Sequence, residues 1–243
     1  MKNLIAFLVL ILFGSTLSTS SSSCVGLCEG INGNGQVIKQ ERAISPFKSV
    51  SVSGSFEVVL IQGDQEALVI EADENLMEFI TAEVNGNELV IGTEKNLRNY
   101  EELKVYITFK EIGSLDLSGA VDLYGEQRLK FNDLSIDASG ATEITLELEA
   151  VSMTLILSGA SEITFSGYCQ ELNVESSGAS EMNAENLETD TTSLEISGAG
   201  ELSVFVNDRL DVEVSGAASV RYKGNPESVN QVSSGAGSIR KID

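Results

Sequence analysis

The tripeptide Ser-Gly-Ala occurs seven times in the C-terminal half of this chain, with its serines at Ser118, Ser139, Ser158, Ser177, Ser197, Ser215 and Ser234. The intervals between them are 21, 19, 19, 20, 18 and 19 residues. A fixed period near 20 marks a solenoid, in which each unit buries its apolar face only by stacking on its neighbours. Aligned on the tripeptide, the repeats show three columns. Three residues after Ala stand Leu123, Ile144, Ile163, Met182, Leu202, Val220 and Ile239. Three before Ser stand Leu115, Ile136, Leu155, Val174, Leu194 and Val212, and directly before Ser stand Leu117, Ala138, Leu157, Ser176, Ile196 and Val214. This is period-two alternation, which makes strands. The expected fold is all-β: a parallel β-helix of about 20 residues per coil, seven coils rising roughly 30 Å, with glycine at each corner for a positive φ. Gln231 breaks an apolar column in the last unit, as a terminal cap does.

Upstream, residues 24–112 are β-rich but out of period. They hold one further Ser-Gly corner (Ser53, Gly54), an Asn-Gly turn signal in "VNGNELV" and a single short helical stretch, "ENLMEFI", residues 74–80. They are expected to form an N-terminal β lobe over the first coil of a 113–243 solenoid, or irregular coils continuous with it. Residues 1–23 read as an export signal: Lys2, the apolar run "LIAFLVLILF", then a small polar stretch. Ten apolar residues are too few to span a bilayer. The mature protein is therefore expected outside the cytoplasm, in a bacterial cell envelope or secreted. Two fates are open for Cys24. It is a candidate lipidated cysteine, which would make a lipid anchor the chain's contact with a membrane; alternatively the signal is cleaved among the serines and Cys24 pairs locally with Cys28. Cys169 is then left as a buried thiol.

The net charge is −22, from 37 acids against 15 bases, which excludes nucleic acid as a partner because phosphate binding needs clustered Lys and Arg. There is no histidine, which removes Ser-His and Cys-His chemistry. Two residues after Ala stand Asp122, Glu143, Glu162, Glu181 and Glu201, then Ser219 and Ser238. In a solenoid these five carboxylates stack on the outer face, where adjacent unit charges about 4.8 Å apart repel by roughly 0.9 kcal/mol even at the dielectric of water. Two readings follow: a calcium-bridged column, since hard cations take carboxylate oxygens, or a solvated acidic face with the side chains splayed. The serine column likewise reads either as a glycan-binding strip or as hydroxyls that satisfy corner backbone groups. With no Trp and few Tyr the second is favoured. Arg221 and Arg240 make the C-terminal end locally basic.

Parallel β-helices also host polysaccharide lyases and hydrolases, so a carbohydrate-active enzyme is the alternative class. Such sites need paired acids, or acids beside a base, in one coil. Here the acids recur once per coil like scaffold. The nearest approach, "LYGEQRLKFNDL" with Glu126, Arg128, Lys130 and Asp133, reads as an ordinary polar loop. The residues therefore favour a non-catalytic protein that presents an extended surface to an extracellular glycan or surface protein; they do not fix its oligomeric state.

The stretch "GNGQVIKQERAISPFKSVSVSGSFEVVLIQG", with "ADENL" downstream and serial Ser-Gly-Ala units ending in "YKGNPESVNQVSSGAGSIRK", resembles the bacterial family described as putative auto-transporter adhesin, head GIN domain. The resemblance covers roughly residues 30–242. It implies an all-β, β-helix-like fold in a secreted or envelope protein and brings no catalytic residues. No barrel follows the repeats, so self-transport is not expected of this chain.

Overall fold

The computed structural model describes residues 30–242; the export segment, Cys24 and Cys28 lie outside the described residues. Fifteen strands are described. The N-terminal set is β1 (Ile31–Asn32), β2 (Val37–Arg42), β3 (Ser49–Gln62), β4 (Ala67–Asp73), β5 (Ile80–Asn85), β6 (Glu88–Thr93), β7 (Leu97–Arg98) and β8 (Leu103–Phe109). The repeat set is β9 (Ser114–Gly125), β10 (Leu129–Ser176), β11 (Ala179–Ile196), β12 (Ala199–Val214), β13 (Ala217–Lys223), β14 (Ser228–Ser233) and β15 (Ser238–Lys241). The repeat strands stack in parallel, β9 on β10, β10 on β11, β11 on β12 and β12 on β13, to give a parallel β-solenoid of about six turns of roughly 20 residues. That is one turn fewer than the count of Ser-Gly-Ala units. The last unit sits in an end coil whose strand β14 is exposed throughout.

The three columns anticipated from the sequence point inward. Leu115, Ile136, Leu155, Val174, Leu194 and Val212 are all buried, as are Leu123, Ile144, Ile163, Met182, Leu202 and Val220. Ser176, the one polar member of the column before Ser, is buried too, and its hydroxyl hydrogen-bonds that of Ser180 at 2.9 Å. A fourth inward column escaped the alignment. The residue directly after Ala is buried in Val121, Thr142, Ser161, Ser180 and Ala218, and where it is a hydroxyl it finds a hydroxyl: Thr142 Oγ1 donates to Ser161 Oγ at 3.2 Å.

The stack begins earlier than the repeat does. β3 runs parallel to β9 in unbroken register from Ser49↔Ser114 to Leu60↔Gly125, so that Ser53-Gly54-Ser55 lies directly on Ser118-Gly119-Ala120. Between these two coils the chain makes an excursion that closes the N-terminal end. β2, β4 and β8 pair antiparallel, β5 and β6 form an antiparallel hairpin at the Asn-Gly turn, and a 3-10 helix spans Glu74–Phe79. Phe47, Leu68, Ile70 and Leu76 are buried beneath this cap. Asp73, fully buried, fastens it: Oδ2 accepts the Gly35 N–H at 2.7 Å, and Oδ1 accepts the N–H of Glu101 at 3.0 Å. A buried carboxylate is tolerable where backbone donors replace its water. No helix among the described residues is long and apolar enough to cross a membrane.

Candidate functional site

Two of the larger concavities lie on flanks of the solenoid that are built differently; a smaller one, about 290 Å³, runs along Glu175, Glu195 and Glu213. The first is the Ser-Gly-Ala flank. Among the glycines that follow the corner serines, positive φ occurs at the early ones, Gly54, Gly119 and Gly140; at a later corner it falls two residues on, at Gly200. What the seven Ser-Gly-Ala corners share is close stacking: a Cβ built on Gly159 would collide with the carbonyl oxygen of Gly140, one on Gly178 with that of Gly159, and one on Gly198 with that of Gly178. Glycine is therefore demanded by the approach of one backbone to the next, and the expected conformational reason holds only at the first corners. The serine hydroxyls turn back onto the coil below. Ser139 Oγ donates to Leu117 O, Ser177 Oγ to Leu157 O and Ser197 Oγ to Ser176 O, each at 3.5 Å, the weak end of hydrogen bonding.

The acidic column runs beside these corners. Asp122 stacks on Glu143, Glu162 on Glu181 and Glu181 on Glu201, and Asp122, Glu143, Glu162 and Glu181 line one shallow trough of about 620 Å³ floored by Ala120, Ala141, Ala160 and Ala179. The sequence alignment missed the first member, Glu57, which stacks on Asp122. A base closes each end, Lys104 pairing with Glu57 and Arg221 with Glu201. The acids form a line. With steps of about 4.8 Å between them, an ion that needs six to eight oxygens at 2.3–2.6 Å can be reached by two neighbours at most. Among the described residues no three acids converge on one point.

The second flank is the corner on which the strands toward Ser-Gly-Ala begin. There a groove of about 900 Å³ crosses successive coils at Lys48, at Glu111–Gly113, at Lys130–Asp133, at Glu149–Val151 and at Tyr168 with Gln170. Its acids and bases are interleaved. Lys48 Nζ lies 2.7 Å from Glu111 and Lys130 Nζ 3.0 Å from Glu149; just outside, Arg128 lies 2.7 Å from Glu147. The bases of "LYGEQRLKFNDL" are thus held by carboxylates one coil away and do not gather with Glu126 and Asp133. Phe131, stacked on Phe109 with ring centroids 6.0 Å apart, forms part of the floor. Val151 and Tyr168 stand out from it, 52% and 38% exposed. The Tyr168 hydroxyl donates to Asp190 at 2.7 Å; this bond, with partial burial and the charge of Asp190, pushes its pKa up to about 12. In the adjacent core Cys169 is buried, its Sγ donating to Glu171 O, and burial raises its pKa to about 11, which makes it an inert thiol.

A capped parallel solenoid whose concavities open on its flanks belongs to the class of parallel β-helical proteins. Residues 46–226 match the family model described as putative auto-transporter adhesin, head GIN domain, and the chain belongs to that family. Solved structures share the fold. A structure described as a putative adhesin from Bacteroides fragilis NCTC 9343 superposes with a TM-score of 0.81 at 21% identity, covering 88% of this chain and 100% of the other. One described as a putative lipid binding protein from Parabacteroides distasonis ATCC 8503 gives 0.71 at 24% identity, with 88% and 100% covered. A third, described as a putative adhesin from Parabacteroides merdae ATCC 43184, gives 0.66 at 17%, with 89% and 100% covered. No curated protein matches this chain.

Proposed function

We propose that this protein is a non-catalytic adhesion module of the bacterial cell envelope, exported by its N-terminal segment and held there through Cys24 or released after cleavage among the serines. It binds a partner on an opposing surface, a glycan or a surface protein, through many weak contacts along its side. The observation that carries this reading is that the trough and the groove both lie open along the axis on the sides of the solenoid. Both concavities run across coils, so a ligand laid along either meets one set of side chains per coil. Catalysis asks for the opposite, a few groups converging on one bond. Membership of a family named for adhesins supports the same reading.

The test is adhesion of the purified full chain to intact bacterial and host cells, scored beside lyase and glycosidase assays on a polysaccharide panel. Saturable retention on cells without polymer cleavage is the expected result. Steady turnover of any polymer, or no retention on any cell, overturns the reading. The mass of the N-terminal peptide isolated from the native envelope decides between a diacylglycerol-modified Cys24 and a cleaved, soluble form.

A further inference from the structure

We infer that the groove of the second flank is a cleft for a neutral polysaccharide, with Tyr168 as its anchoring face. This rests on the adhesion reading above and adds the ligand class and the residues. Charge is the first argument. The chain as a whole carries −22, and the trough of the first flank is lined by four acids and no base. The groove is lined by Lys48, Lys110 and Lys130 against Asp64, Glu111, Asp133 and Glu149, close to neutrality. Two of its three lysines are tied to acids of the same groove, which leaves little net field for a polyanion or a polycation.

Shape and chemistry are the second argument. The groove crosses three coil steps between Gly113 and Gln170, about 14 Å along the axis, and its volume falls within the range of ligand clefts. A sugar ring has an apolar C–H face and a rim of hydroxyls. Tyr168 offers a matching surface, because the bond to Asp190 occupies its hydroxyl and holds the ring, while the residue is partly exposed in the groove that Val151 also lines. Exposed Asn132, Asp133 and Gln170 supply planar donors and acceptors on the rim of the same groove. One aromatic platform, one aliphatic shelf and several planar polar groups form a set suited to a polyhydroxylated chain.

The experiment is affinity electrophoresis and titration calorimetry of the full chain with dextran, mannan, xylan and a soluble β-glucan, and with alginate and heparin as acidic polymers. At least one neutral polymer is expected to bind. Tyr168→Ala should weaken that binding about tenfold or more, as loss of an aromatic anchor does, and Tyr168→Phe, which keeps the ring but loses the bond that holds it, should weaken it less. Val151→Asp sits at a position too exposed to unfold the coil and should weaken binding as well, which covers the case of Tyr168→Ala failing to fold. Glu162→Gln with Glu181→Gln, on the other flank, should leave it unchanged. Binding indifferent to both groove positions, binding of acidic polymers alone, or no polymer bound overturns the inference. If adhesion to cells persists in any of those cases, the adhesion reading stands and only the groove assignment falls; if cell adhesion is absent too, both fall.

Discussion

The flank that holds the acidic trough and the flank that holds the groove obey different rules although the same coils build them. On the Ser-Gly-Ala flank each coil repeats the one below, and the repeated residues are those whose backbones or hydroxyls touch across the coil step. On the groove flank each coil presents something else: Glu111, Asp133, Val151, Gln170. Repetition thus marks the places where the stacked backbones constrain the side chain, and variation marks the places where they do not. The comparison teaches that in a solenoid the conspicuous motif is scaffold, and the surface free to acquire a ligand is the one without a motif.

The largest expected effect comes from glycine. Gly178→Ala should destabilise the protein by more than about 3 kcal/mol or prevent its folding, since the new methyl meets the backbone carbonyl of Gly159 and a rigid ladder cannot yield. Gly113→Ala, on the groove flank, places its methyl 3.5 Å from Asp133 O, an ordinary contact, and should stay within about 0.5 kcal/mol of wild type. Denaturant midpoints of the two variants check this. Equal costs would remove the distinction between the flanks.

The next effect lies in the buried hydroxyl rail behind the same corners. Ser176→Ala leaves Ser180 Oγ buried without its partner and should cost about 1–3 kcal/mol, whereas adding Ser180→Ala should give back part of that cost, because two apolar groups replace a broken pair. A double-mutant cycle reads the coupling directly. Asn132→Ala, exposed on the groove flank, is the control and should be nearly silent.

The same contrast explains what could be read before the structure. The coil length, the strand alternation and three inward columns were legible because stacking writes them into the sequence once per turn. Glu57 was not legible as the head of the acidic column. Its coil partner Asp122 lies 65 residues downstream, across the excursion that makes the cap, and an inserted segment destroys period without disturbing register. The fourth inward column was hidden because it mixes Val121, Thr142, Ser161 and Gly200, so that size rather than polarity is what the position selects. Asp73 looked like any polar residue in "ADENL", and its burial depends on donors from Gly35 and Glu101 that only the fold brings near. Of the groove only one stretch stood out in the sequence, the polar loop that holds Lys130 and Asp133, since Val151 and Tyr168 occupy unrelated positions in their repeats.

A smaller effect, with opposite sign on the two flanks, is expected from removing acids. Glu162→Gln with Glu181→Gln relieves repulsion within the column and should stabilise by less than about 1 kcal/mol, more at low salt. Glu149→Gln removes the partner of Lys130 and should destabilise slightly. Thermal midpoints with millimolar calcium and with chelator belong to the same series. The line of acids favours no calcium dependence; a calcium-dependent rise abolished by the double substitution would instead show ions bridging neighbouring carboxylates in pairs.

The smallest effect is confined to high pH and to the groove. Tyr168 is held at about 12 in the folded protein by its bond to Asp190, above the ordinary tyrosine value of 10.0. A neutral form favoured by the fold stabilises it fully below the ordinary value, and that contribution fades as pH rises through the folded one, so the window of loss is about pH 10 to 12. Because Tyr168 is partly exposed, solvent screening keeps the contribution small, and the titration itself is the better readout. The Glu71 bond also raises Tyr106 and burial raises Tyr124, so the wild type minus Asp190→Asn difference in tyrosinate absorbance isolates Tyr168: it should ionise late in the wild type and nearer the ordinary value in Asp190→Asn, with the same substitution loosening the ring that the groove presents. An unchanged titration in Asp190→Asn would mean that burial, and not the Asp190 bond, holds the hydroxyl, and the ring would then lack the fixed orientation that sets this flank apart from the other.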